Sequence, residues 1–159
     1  MRTFKTTLHL SVLAIVILTS CKKEDNSIKG AFNNGIFIVN EGPFQSGTGT
    51  ITFYNPDSNL VKQDIFESVN GRPLGNIAQS MSLFNGKAYI VVNNAGTVEV
   101  VNAATFKSEA TITNLVNPSQ FLAVDATKAY VSDWIGHVAV VDLELNAITK
   151  TIPTGTGPD

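Results

Sequence analysis

Lys87-Ala88-Tyr89 recurs as Lys128-Ala129-Tyr130, 41 residues later, and the echo runs on. Gly96-x-Val98-x-Val100-Val101-Asn102 answers to Gly136-x-Val138-x-Val140-Val141-Asp142, and Ile112 to Ile152. The phase slips by one because the turn after Tyr130 is one residue shorter. A weaker, earlier copy runs Phe37-Ile38-Val39, then Gly49-x-Ile51-x-Phe53-Tyr54-Asn55, then Ile65. Self-similarity at this period means stacked supersecondary units that bury a core only against their neighbours. The units are built of strands, and a unit of roughly 40–45 residues with four strands is a β-propeller blade.

The best-defined unit gives the reason. Ser80–Phe84 reads as a strand, and Asn85-Gly86 as the tight turn into a second strand over Lys87–Asn93. In that second strand Ala88, Ile90 and Val92 fall on one face, Tyr89 and Val91 on the other. A strand wet on one side alternates with polar residues; one apolar on both sides is covered on both. Neighbouring blades supply the cover. Thr97–Asn102 is the third strand, and Ser108–Thr113 the fourth, where Ala110 and Ile112 alternate with polar residues as at an outer edge. The next unit repeats the order over Gln120–Val124, Ala129–Asp133, His137–Asp142 and Ala147–Ile152. No long helical periodicity interrupts the pattern.

These strands and the ending Ile152-Pro153-Thr154-Gly155-Thr156-Gly157-Pro158 resemble the YVTN/YncE-like propellers. The resemblance covers residues 35–159, an all-β partial propeller with units at about 35–78, 79–119 and 120–159. Its first unit departs from the pattern, with a long loop over Asn40–Thr48 and an expanded segment over Glu67–Ala78. Propellers of this family have about seven blades, whereas three four-stranded units are visible. That count predicts a truncated sequence or gene fragment; a three-blade chain that assembles into a ring is the alternative.

The N-terminus is read as a leader. Arg2 and Lys5 precede an apolar run, Leu10–Leu18, much shorter than the ~20 residues a membrane-spanning helix needs. It ends in Leu18-Thr19-Ser20-Cys21, which resembles a bacterial lipobox, so residues 1–20 are expected to be a signal peptide and Cys21 a lipidation site. Cys21 is the chain's sole cysteine, which excludes an internal disulfide. Lys22-Lys23-Glu24-Asp25 looks like the surface-export signal of Bacteroidetes lipoproteins, although a solvated tether needs the same charges. Residues 21–34 are then an anchor and polar linker. The expected location is the outer membrane, lipid-anchored and cell-surface, with the periplasmic face as the alternative.

From Gly35 onward six Lys and Arg stand against eleven Asp and Glu. That acidic balance supplies no basic footprint for nucleic acid, and this partner class is set aside. Beyond the leader the chain has one histidine, His137, so nucleophilic triads have one candidate base and no signature serine. No His/Cys cluster or EF-hand run is present, and no cofactor, metal ligand or catalytic residue is assigned. Gly155-Thr156-Gly157 lacks the strand–helix context of a dinucleotide loop and reads as a turn.

Loop geometry remains. Alternate connections of a four-strand blade share a rim, and one rim collects Asn40, Glu41, Phe44 and Gln45, then Asn93 and Asn94, then Asp133 and Trp134. Blade-to-blade crossings add Arg72, Asn76, Gln79 and Gln120. Amides, one Arg, carboxylates and aromatics suit a polar organic ligand with a flat apolar part. Turns also demand Asn, Asp and Gly for backbone reasons, so the ligand-binding candidates are Trp134, Asp133, Asn93, Asn94, Arg72, Gln79, Gln120 and Glu41. The expectation is a non-enzymatic, surface-anchored binding propeller. The family resemblance implies, for some relatives, capture of cobalamin for a TonB-dependent transporter. The alternatives are a lactonase- or lyase-like propeller enzyme and an adhesion propeller of the envelope.

Overall fold

The computed structural model describes residues 30–155 with 157 and 158. The expected signal peptide, Cys21 and the export-like charges lie outside them. Eleven strands and one short helix follow in order: β1 (Ile36–Asn40), β2 (Thr50–Asn55), β3 (Leu60–Lys62), α1 (Ile65–Asn70), β4 (Ala78–Phe84), β5 (Lys87–Val92), β6 (Thr97–Asn102), β7 (Ser108–Ile112), β8 (Pro118–Ala123), β9 (Lys128–Asp133), β10 (His137–Asp142) and β11 (Ala147–Pro153). They form three antiparallel sheets, ordered β1-β2-β3, β4-β5-β6-β7 and β8-β9-β10-β11. Each is a meander of consecutive hairpins, and the inner strands β4 and β8 pack side by side. This is a β-propeller arc.

The sequence pattern explains the packing. In β5, Ala88 through Val92 are all buried, as a strand apolar on both faces requires. Its Ala88, Ile90 and Val92 join one core with Ile51, Phe53, Phe66 and Phe106, between the first and second sheets. Its Tyr89 and Val91 join a second core with Val98, Val100, Phe121, Val131 and Val141, between the second and third. Each such fully buried aliphatic side chain contributes roughly 1.5–3 kcal/mol. Aromatic pairs reinforce both cores. Tyr89 stacks on Phe121 with ring centroids 4.2 Å apart, and Phe37 lies 5.3 Å from both Phe53 and Phe106.

The repeat's phase slip has its expected origin. The backbone N–H of Gly96 donates to Asn93 O at 3.0 Å, and that of Gly136 to Asp133 O at 3.1 Å. That glycine-closed turn is the same in both hairpins, but four residues lie between the paired Val92 and Thr97 and three between Asp133 and His137, which accounts for the one-residue slip.

The first unit corrects the four-strand expectation. By the repeat, β1, β2 and β3 match β5, β6 and β7, so the described residues supply no inner strand there. Ile65, the counterpart of Ile112, sits in a helix and not a strand. Asp64 caps that helix at φ 46, accepting the Glu67 N–H, and Gly71 ends it at φ 67. Ile65 is buried all the same, so the repeat's hydrophobic requirement is met by a different local conformation. The strand boundaries also shift slightly: β4 and β8 begin at Ala78 and Pro118, two residues before the expected starts.

Candidate rim site

The β1–β2 loop, the β5–β6 and β9–β10 turns and the two crossings between sheets meet on one rim. There a cleft of about 500 Å³ is lined by Glu41, Gly42, Phe44, Ile77, Gln79, Asn93 and Trp134. Glu41, Gln79, Asn93 and Trp134 of the expected binding set therefore converge, from three sheets. Phe44 is 69% exposed and Trp134 42% exposed. The two aromatics stand beside the same cleft, where their faces are available for stacking.

The long loop from Glu41 to Gly49 is held in shape from below. Asn76 Nδ2 donates to the carbonyls of Pro43 (2.9 Å) and Ser46 (3.2 Å), and Asn76 Oδ1 accepts the Gln45 N–H at 3.2 Å. Asn94 Nδ2 donates to the same Oδ1 at 2.6 Å. Thr48 Oγ1 accepts the Gly75 N–H at 2.9 Å, and the Ala78 N–H reaches Glu41 O at 3.2 Å. Two glycines permit this close approach. A Cβ on Gly49 would lie 2.6 Å from Ala78, and one on Gly42, at φ +81, would lie 2.4 Å from Thr48 O. Phe44 is thus displayed on a braced loop.

Ile77, in the cleft wall, has φ 60. A β-branched residue in the left-handed region is strained by about 1–2 kcal/mol, and such strain concentrates at functional sites. The conformation is fixed by the Asn93 N–H donating to Ile77 O at 2.8 Å.

Other expected residues carry structural tasks. Asp133 is fully buried, and its carboxylate accepts the N–H groups of Val116 (2.8 Å), Asn117 (3.0 Å) and Ile135 (3.3 Å). Asn93 is buried as well, and its Nδ2 donates to Pro118 O at 2.8 Å. Asn40 turns onto its own sheet, donating to Thr50 and Thr52 hydroxyls. Gln120 lies exposed on β8, its N–H on Ser132 Oγ. Arg72 lies away from the cleft. Its guanidinium meets buried Glu99 at 2.7 Å and stands 4.9 Å over the Phe66 ring, while Ser108 and Thr111 hydroxyls also donate to Glu99. His137 Nε2 stands 3.7 Å from Asp133 Oδ2. Among the described residues no group of three or more His, Cys, Asp or Glu is placed to hold a metal ion.

A larger cavity, about 590 Å³, opens on the opposite rim between the first two sheets, walled by Phe32, Phe37, Leu83, Ala103, Lys87 and Glu109. Lys87 and Glu109 pair across its edge at 3.0 Å. Sequence reasoning missed it because its walls are turn residues and strand ends, with no distinctive composition.

A family described as "Domain of unknown function (DUF5074)" matches residues 34–158. No curated protein matches the chain in sequence. Among solved structures, hydrazine synthase of Kuenenia stuttgartiensis superposes with a TM-score of 0.62 at 17% identity, covering 81% of this chain and 35% of that one. The nidogen/laminin complex superposes at 0.56 and 14% identity, over 76% of this chain and 43% of that one. The chain therefore spans less than half the length of either. At these identities the likeness establishes the propeller fold.

Proposed function

The chain belongs to the DUF5074 family, and we propose that it is a non-enzymatic binding propeller whose rim cleft takes a polar organic ligand with a flat apolar part. The observation that carries this reading is the pair of exposed aromatics, Phe44 and Trp134, flanking a cleft whose polar groups are Glu41 and Gln79. Aromatic faces hold a planar group by stacking, and a few placed polar groups orient it. The carboxylates of Asp133 and Glu99 are engaged by backbone N–H groups, hydroxyls and Arg72, which leaves Glu41 as the carboxylate offered to a ligand in the cleft wall.

The finer reading is a lipoprotein anchored through Cys21, displayed on the outer membrane, that captures a nutrient such as cobalamin and passes it to a TonB-dependent transporter. It rests on Leu18-Thr19-Ser20-Cys21, the charges that follow, and the aromatic–amide composition of the rim. Trp134 is the chain's sole tryptophan, so its fluorescence reports the cleft alone. Titration with cyanocobalamin, corrected for absorption and paired with calorimetry, is expected to give saturable quenching with matching heat. Saturable heat without a Trp134 response would move the site elsewhere; no heat would exclude cobalamin.

A further inference from the structure

The rim cleft has a sign of charge as well as a shape. The loops that build this rim, residues 41–49, 71–77, 93–96, 113–117 and 134–136, carry charge at Glu41 and Arg72 alone. Arg72 is engaged elsewhere, its guanidinium 2.7 Å from buried Glu99. His137, at the start of β10, has its Nε2 3.7 Å from Asp133 Oδ2. Lys87 pairs with Glu109 on the opposite rim. Among the described residues, then, the ion pairs take up Glu99, Glu109 and Asp133, and none takes up Glu41. The described cleft wall holds one carboxylate and no lysine, arginine or histidine.

That wall discriminates between ligands by charge. A neutral ligand lying over Glu41 removes water from a carboxylate and puts nothing in its place, which is costly. An anion adds repulsion. A cation reverses both effects. Phe44 and Trp134 favour the same sign, because the face of an aromatic ring is the negative end of its quadrupole and attracts positive charge, Trp most strongly. Gln79 brings an acceptor oxygen to the same wall. The wider field agrees: from Gly35 onward six Lys and Arg stand against eleven Asp and Glu, a balance that draws cations toward the surface.

We propose that the cleft takes an organic cation, a planar ring bearing a quaternary or protonated nitrogen, with the ring against Phe44 and Trp134 and the positive charge beside Glu41. This rests on the rim-cleft reading above and adds to it the sign of the ligand's charge.

Titration of the full chain with flat probes of similar size and different charge tests this. The probes are 1-methylquinolinium, a permanent cation, quinoline, neutral at neutral pH, and quinoline-2-carboxylate, an anion. Each is followed by calorimetry and at the Trp134 indole N–H resonance. The cation is expected to bind about tenfold more tightly than quinoline, from a cation–π contact and an exposed ion pair together, and the anion most weakly. Added salt should narrow the preference by screening the carboxylate. Glu41→Gln keeps the shape of this exposed side chain and should reduce the cation-to-neutral ratio to about threefold or less, the part due to the rings. Equal affinities for cation and neutral ring, tightest binding of the anion, or a ratio untouched by Glu41→Gln overturns the charge assignment and leaves the cleft as the site. Probes that do not bind, or that bind with the indole unmoved, overturn the rim-cleft reading itself and this proposal with it.

Discussion

Asn93 and Asp133 hold the same stretch of backbone from opposite ends. Asn93 Nδ2 donates to Pro118 O at 2.8 Å, while the Asp133 carboxylate accepts the N–H groups of Val116 and Asn117 at 2.8 and 3.0 Å. Between them they fix the crossing from the second unit to the third. Both are rim residues by sequence and both are buried, so their polar atoms serve the fold.

Asp133→Ala is therefore expected to destabilise the chain by roughly 2–4 kcal/mol, since buried N–H groups lose a charged acceptor. Asp133→Asn, which keeps one acceptor oxygen, should cost about half as much. Urea unfolding followed by circular dichroism measures both. A loss below about 0.5 kcal/mol, the range of ordinary surface substitutions, would contradict this role.

Trp134 should behave in the opposite way. It is 42% exposed at the β9–β10 turn, so Trp134→Ala is expected to cost less stability than Asp133→Ala. The same change should weaken ligand binding by at least about tenfold, as loss of a stacking aromatic does at a binding centre. Calorimetric titration beside the unfolding curve separates the two effects.

Asn76 predicts a third pattern. Asn76→Ala removes the hub that joins the loop around Phe44 to Asn94. Stability is expected to fall by about 1 kcal/mol, with faster proteolysis between Pro43 and Gly47 and weaker binding. Limited proteolysis read by mass spectrometry locates the cut.

Arg72, expected from sequence to bind ligand, is instead the partner of Glu99. Arg72→Met leaves Glu99 buried with hydroxyl donors alone. The expected cost is about 2–3 kcal/mol, below that of a fully buried pair because water reaches the guanidinium. Ligand affinity in the folded variant should be unchanged.

Tyr89 gives the pH dependence. Burial against Phe121 raises its phenol above the ordinary value of 10.0, with Lys87 opposing and Glu109 adding to the shift. Above pH 10 the unfolded chain releases this proton while the folded chain retains it, so stability falls as pH rises through that window. Tyr89→Phe should remove this part of the alkaline loss, measured as the urea midpoint at a series of pH values.

The repeat made most of the fold legible because inter-sheet packing imposes the same residues at the same places: Tyr89 and Tyr130, Val100 and Val140. It even located the shortened turn before Gly136. The first unit was harder, since Ile65 meets the burial requirement from a helix and the inner-strand position is not filled by described residues. At the rim, composition identified the loops but not the direction of each side chain. Asp133 and Trp134 are adjacent in sequence, yet one is sealed and the other displayed. Asn76 looked like one crossing amide among several, because nothing in sequence shows that two loops separated by about thirty residues share it. Ile77 carried no signal, as left-handed backbone at isoleucine has no compositional mark.

The most direct measurement of the rim account is the indole N–H resonance of Trp134 in a ¹⁵N-labelled sample, a single cross-peak because the chain has one tryptophan. Titrated with cyanocobalamin, that peak should shift and saturate together with the Gln79 side-chain amide, with the strand amides of β5 and β6 unmoved. A saturable response in the β5 or β6 amides, or at Phe37 and Leu83 on the opposite rim, with the indole unchanged would contradict it.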